Sequence, residues 1–101
     1  MSSTGKKIYK LMQELFPICR SITGEGTRKT LFELKKIVPQ MQIYEVPSGT
    51  QVFDWTVPKE WNIYEAYIEN SKGEKIIDFK KNNLHVVNYS APVDQYMSCL
   101  L

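Results

Sequence analysis

A chain of 101 residues with 13 Lys plus Arg against 11 Asp plus Glu carries a formal net charge of +2 and is 43% hydrophobic. That length holds one ordinary domain, since domains run to about 100 to 150 residues, and a composition with 12% aromatics excludes a mainly disordered tail. No apolar run approaches the roughly 18 residues that span a bilayer, and the polar start from Met1 to Lys7 has no apolar signal core.

The first predicted element is a helix. Ile8, Leu11, Met12, Leu15 and Phe16 recur at helical spacing and make one apolar stripe, with Lys6, Lys10, Gln13 and Glu14 turned away, and Pro17 ends it. Arg20 to Thr27 reads as a shaped loop, because its two glycines permit unusual backbone angles and its hydroxyl residues compete for backbone hydrogen bonds. A second helix is predicted from about Thr27 to Val38, with Leu31, Leu34 and Val38 as its buried stripe, Thr27 or Gly26 as its cap and Pro39 as its stop. The amides near Gly24 and Gly26 could hold a carboxylate or another anion at this helix start; a tight turn tied down by Arg20 is the competing account.

After Pro39 the period changes to that of strands. Met41 to Val46 reads as an edge strand, closed by Pro47-Ser48-Gly49. Val52 to Val57 alternates as a half-buried strand ended by Pro58. Ile63 to Glu69 and Lys75 to Phe79 are joined by Asn70-Ser71-Lys72-Gly73, the strongest hairpin signal in the chain, and a last strand is expected over Leu84 to Tyr89. The fold class is therefore α+β: two N-terminal helices followed by a mostly antiparallel β module of four or five short strands. A nucleotide fingerprint is absent, because Gly24-Glu25-Gly26 lacks a third glycine and follows a helix.

Catalytic chemistry finds little to build on. His85 is the only imidazole, so neither a His-rich zinc motif nor a Ser-His-Asp arrangement has support, and a hydrogen-bonded structural histidine is expected. Basic pairs such as Lys6-Lys7 and Lys80-Lys81 are interspersed with glutamates, which favours solvated faces over a nucleic-acid surface. Phe53, Trp55, Trp61, Tyr64 and Tyr67 crowd 15 residues. They could stack on sugars or anchor a peptide, but filling the core of a small β module is the preferred reading. Cys19 and Cys99 form no staple pattern, so buried thiols in a reducing, cytoplasmic setting are expected.

Leu15 to Arg28, with its Arg20-Ser21-Ile22-Thr23-Gly24-Glu25-Gly26-Thr27 core, resembles the N-terminal signature of a bacterial aminopeptidase-like family often carried as a domain of unknown function. Val46 to Asn62 and Asn83 to Ser90 resemble that family's next two blocks. The family is similar to zinc-dependent aminopeptidases with a co-catalytic metal pair. The resemblance implies that residues 1–48 open such a catalytic domain and that residues 49–101 are a β-rich inserted module, structural or substrate-gating. It also implies that the chain is an N-terminal piece whose partner is the remainder of the parent polypeptide. No metal or catalytic residue of the family is matched, so no cofactor is expected in this chain, zinc is expected for the parent, and the piece alone is expected to be inactive. The apolar end, Tyr96 to Leu101, fits such a piece. Neither nucleic acid nor membrane is an expected partner; homo-oligomerisation is left open. Arg20, Trp55, Trp61 and His85 are the candidate binding residues. The alternative is a stand-alone β module that binds carbohydrate or peptide.

Overall fold

The structure is a computed structural model and describes residues 2–98. Expectations for Cys99, Leu100 and Leu101 lie outside the described residues.

Helix α1 spans Ser3–Leu15. Ser2 caps it, its hydroxyl accepting from the Gly5 amide at 3.0 Å, which satisfies one of the four orphan donors of a helix start. Helix α2 spans Glu25–Ile37, with Glu25 in its first turn and Lys35 and Lys36 in its last, each complementing the helix dipole. Both helices match the predicted periodicity, but neither buries a residue.

Two small antiparallel sheets follow. In the first, β1 (Gln51–Val52) pairs with β2 (Trp55–Thr56) in the register Gln51 to Thr56 and Val52 to Trp55. The predicted single strand from Val52 to Val57 is thus corrected: the chain reverses at Phe53-Asp54, with Phe53 at φ 55°. Two further bonds lengthen this hairpin, from the Val57 amide to the Thr50 carbonyl at 2.9 Å and from the Gly49 amide to the Val57 carbonyl at 2.8 Å. Val57 is the one buried large hydrophobic residue among those described.

In the second sheet, β3 (Tyr67–Glu69) pairs with β4 (Lys75–Asp78). The predicted Asn70 to Gly73 turn joins them, and the Asn70 side-chain oxygen accepts from the amides of Lys72 and Glu74, both at 3.0 Å. An Asx turn of this kind stands in for a missing backbone bond. Ile63 to Ala66 lie outside the strand, so β3 is shorter than the alternation predicted.

Two predicted strands are absent among the described residues. Met41 to Val46 has no ladder partner here, and a strand does not persist without one. Leu84 to Tyr89 instead begins in a 3-10 turn over Asn83–His85, capped by Asn82, and passes through Tyr89 at φ 64°. Four short strands in two sheets therefore follow the two helices, which keeps the α+β class. No described helix is long and apolar enough to cross a membrane.

Candidate functional site

Three distant stretches of sequence meet around the loop between the helices. The loop itself is shaped from within: the Ser21 hydroxyl donates to the Thr23 carbonyl at 2.6 Å, and the Thr27 hydroxyl donates to the Ser21 carbonyl at 2.6 Å. Gly26 packs so tightly that a Cβ there would lie 1.8 Å from the Cys19 carbonyl oxygen. Only glycine fits such a backbone-to-backbone approach.

Lys59 to Asn62 closes over this loop. The Trp61 amide donates to the Thr23 carbonyl at 3.1 Å, and the single Ser21 hydroxyl proton is shared between the Thr23 carbonyl and the Trp61 carbonyl, which lies 3.0 Å from Ser21 Oγ. Asn62 Oδ1 accepts from the Glu25 amide at 2.7 Å and so caps α2 from 37 residues away. That oxygen occupies the helix start that the anion-binding reading of the sequence needed to be open, so the site is filled by the protein's own acceptor. Neither Thr27 nor Gly26 is the cap; Gly24 holds that position, without a side chain to bond.

Asn83 to Ser90 forms the third side. Asn83 Nδ2 donates to the Phe16 carbonyl and Asn88 Nδ2 to the Arg20 carbonyl, each at 2.7 Å. These amides satisfy carbonyls left over at the end of α1 and in the loop, which explains why the segment bends toward them instead of running as a strand. The Trp61 ring stacks on Tyr89 with centroids 6.0 Å apart, and its Nε1 donates to the Ser90 carbonyl at 3.0 Å. Tyr89 in turn bonds Thr23 hydroxyl to hydroxyl at 3.2 Å. An open groove of about 280 Å³ runs between Phe16–Arg20 and the stretch holding Asn83, Leu84 and Asn88.

A charged cluster joins the rim. Arg28 pairs with Glu25 and Glu60, and its Nε lies 3.9 Å from Glu45. The Glu60 hydrogen bond, followed by the charge of Glu25, raises the guanidinium above its ordinary value, with Glu45 adding a smaller share. The arrangement has no nucleophile-and-base pair. Its hydrogen bonds run from one chain segment to another, so it acts as a lock that ties three segments together.

Of the four residues singled out from sequence, two take part. Arg20 is exposed, yet its Nη1 donates to the Leu15 carbonyl at 2.9 Å and to Thr30 Oγ1 at 3.3 Å, tying the end of α1 to α2. This favours the tight-turn account of the loop. Trp61 is half-buried at the centre of the lock. Trp55 sits on β2, half exposed, and His85 is exposed on the 3-10 turn; neither is brought into the lock. The expected aromatic core is corrected as well: Phe53 is 98% exposed, Tyr64 82% and Tyr67 45%, because no described layer lies over these hairpins. Ser21, Asn62, Asn83 and Asn88, which the sequence reading did not single out, supply the hydrogen bonds between segments. Their signal was present, since all four lie inside the three blocks that carry the family resemblance. Among the described residues, no group of three or more His, Cys, Asp or Glu side chains converges to hold a metal ion.

Comparison with known proteins bears on these same blocks. Over 97 residues the chain is 65% identical to a Clostridium acetobutylicum protein named "Putative polysaccharide biosynthesis protein with aminopeptidase-like domain", covering 96% of this chain and 22% of that protein. A crystal structure of a "putative peptidase" from Clostridium acetobutylicum matches with a TM-score of 0.84 and 68% identity, covering 89% of this chain and 21% of that one. The chain thus spans about a fifth of the length of these relatives. Residues 9–99 match the family model described as "Domain of unknown function (DUF4910)". That match takes in all three sides of the lock, and the chain belongs to the DUF4910 family.

Proposed function

We propose that this chain forms the opening part of an aminopeptidase-like peptide hydrolase, and that it contributes structure, not catalytic groups, to the reaction. The observation that carries this reading is the 65% identity over 97 residues to a protein named for an aminopeptidase-like domain. The reaction of the longer polypeptide would be metal-assisted removal of an N-terminal amino acid. In this reading the metal ligands would come from the rest of the longer polypeptide, and this chain alone would be inactive.

Residues 1–48 would open the catalytic domain and residues 49–101 would form a module beside it. The lock supports a positional role for that module, because Asn62 accepts from the Glu25 amide while Asn83 and Asn88 donate to the Phe16 and Arg20 carbonyls. A module held this way could shape the approach to an active site without touching the reacting atoms. The test is an aminoacyl-p-nitroanilide assay with added zinc, run on this chain, on a full-length polypeptide that contains it, and on that polypeptide with the lock broken by Asn62→Ala plus Asn88→Ala. Hydrolysis is expected only from the intact long polypeptide, and turnover by the 101-residue chain alone would overturn the reading.

A second reading rests on a different observation. Phe53, Trp55 and Tyr64 are exposed, and exposed rings stack on sugars or anchor peptides. A carbohydrate- or peptide-binding role for the hairpin face would appear as a saturable change in Trp55 emission on titration with an oligosaccharide or a short peptide. An unchanged spectrum removes it.

A further inference from the structure

The apolar stripe of α1 meets the lock only at its end, through the backbone carbonyls of Leu15 and Phe16. Ile8, Met12 and Phe16 remain 55%, 61% and 58% exposed, and the helix buries no residue. Its far end is tied down by two polar contacts, Arg20 on the Leu15 carbonyl and Asn83 on the Phe16 carbonyl. A 13-residue helix is marginal in water by itself, and amphipathic helices are stable because something covers the apolar face.

The same arrangement recurs in a much longer chain. The solved structure matches at a TM-score of 0.84 over 89% of this chain, while those residues are only 21% of the protein that contains them. We propose that the Ile8, Met12 and Phe16 face of α1 is the seat for the remaining four fifths of a relative-length polypeptide, which docks there through an apolar surface of its own. This rests on the reading that the chain is one portion of such a polypeptide. A second copy of this chain fits less well. Exposed large hydrophobic residues extend from Ile8 to Met97 over both helices and both hairpins, whereas a two-fold dimer covers one self-complementary patch on each copy. A body several times larger can cover them together.

Methionine oxidation reads this face directly, because Met12 is 61% and Met97 70% exposed in this chain. In the 101-residue chain, hydrogen peroxide should convert both to sulfoxide at similar rates. In a full-length chimera, where this chain's 97 matched residues replace those of the Clostridium acetobutylicum relative, Met12 should oxidise about tenfold more slowly than in the short chain. Equal Met12 rates in the two overturn the proposal. Slow Met12 oxidation in the short chain, together with a dimer mass by light scattering, also overturns it and assigns the face to a second copy. If the chimera precipitates, hydroxyl-radical labelling of the unaltered relative reads the positions matched to 12 and 16, and strong labelling there is equally decisive against docking. Met12→Asp should lower the Tm of the chimera by several degrees, with Gln13→Asp on the other face as a control that does not; equal shifts count against the proposal. None of these readouts needs turnover. A protected Met12 in a chimera that hydrolyses nothing keeps the docking and removes the peptidase reading, and turnover with an oxidisable Met12 does the reverse.

Discussion

Gly26 has no room for a side chain, and the obstacle is backbone. A Cβ placed there would meet the Cys19 carbonyl oxygen at 1.8 Å, so Gly26→Ala should shift the loop and destabilise it by about 2 kcal/mol or more. Faster hydrogen exchange at the first amides of α2 is the expected signature, and unchanged exchange would show the approach to be looser than described. Asn62 offers a finer test, since only its oxygen is used on the Glu25 amide. Asn62→Ala should cost about 1 kcal/mol of α2 stability. Asn62→Asp keeps the acceptor and places a negative charge at a helix start, so it should recover most of the loss. Among the described residues, Arg28 is the cation that pairs with Glu25, Glu45 and Glu60. Because its folded-state value is raised, its contribution is present at every pH below the ordinary guanidinium value and is lost only as pH rises through the raised one. Arg28→Gln should therefore loosen the start of α2 at neutral pH, and added salt should shrink the difference between variant and parent; a salt-independent difference would point to packing instead. The glycine-rich loop was legible in the sequence, as was Arg20 as its tie. The Asn62 cap was not, because a cap supplied from 37 residues away leaves no local pattern.

The elements were legible to the extent that their stabilising contacts are local. α1 and α2 follow from helical spacing, and the β3–β4 hairpin follows from the Asn70 to Gly73 turn, whose bonds close within five residues. The two hairpin turns make opposite predictions. Gly73 sits at φ 79° with nothing within 4 Å of a would-be Cβ, so Gly73→Ala carries only the conformational penalty, about 1 kcal/mol. Phe53 holds φ 55° with a ring that is 98% exposed, so Phe53→Gly should be neutral or stabilising by up to about 1 kcal/mol. Chemical-shift or exchange measurements on each hairpin check both, and a Phe53→Gly variant that melts its hairpin would mean the ring is covered by something in solution. The misread strands fail for a common reason. Apolar alternation over Val52 to Val57 hid a reversal at Phe53-Asp54, and Leu84 to Tyr89 answered to the amides of Asn83 and Asn88 in place of a ladder.

Taken whole, the chain is more open than its length requires. Its radius of gyration is 18.0 Å, against about 13 Å for a compact 100-residue domain. Only Val57 among the described large hydrophobics is buried. Urea unfolding of the isolated chain should accordingly be shallow, with a slope well below the 1 to 3 kcal/mol/M, roughly, of a small compact protein. Acrylamide should quench Trp55 freely and Trp61 less, because Trp61 is stacked on Tyr89 and half-buried. A sharp transition with both tryptophans shielded would mean that the open faces close on one another in solution.

The sequence alone determined the two amphipathic helices, the Asn70 to Gly73 hairpin, the glycine-rich loop and the three blocks that carry the family resemblance. Periodicity, turn chemistry and motif spacing are written into neighbouring residues, so they survive without a structure. Only the tertiary structure decided that Asn62, Asn83 and Asn88 fasten those blocks into one lock, that Arg20 and Trp61 belong to it while Trp55 and His85 do not, and that Phe53, Trp55, Tyr64 and Tyr67 lie at the surface. An apolar pattern says which face must be covered. It cannot say what covers it, because that depends on contacts between segments far apart in the chain and on how much polypeptide is there to make them.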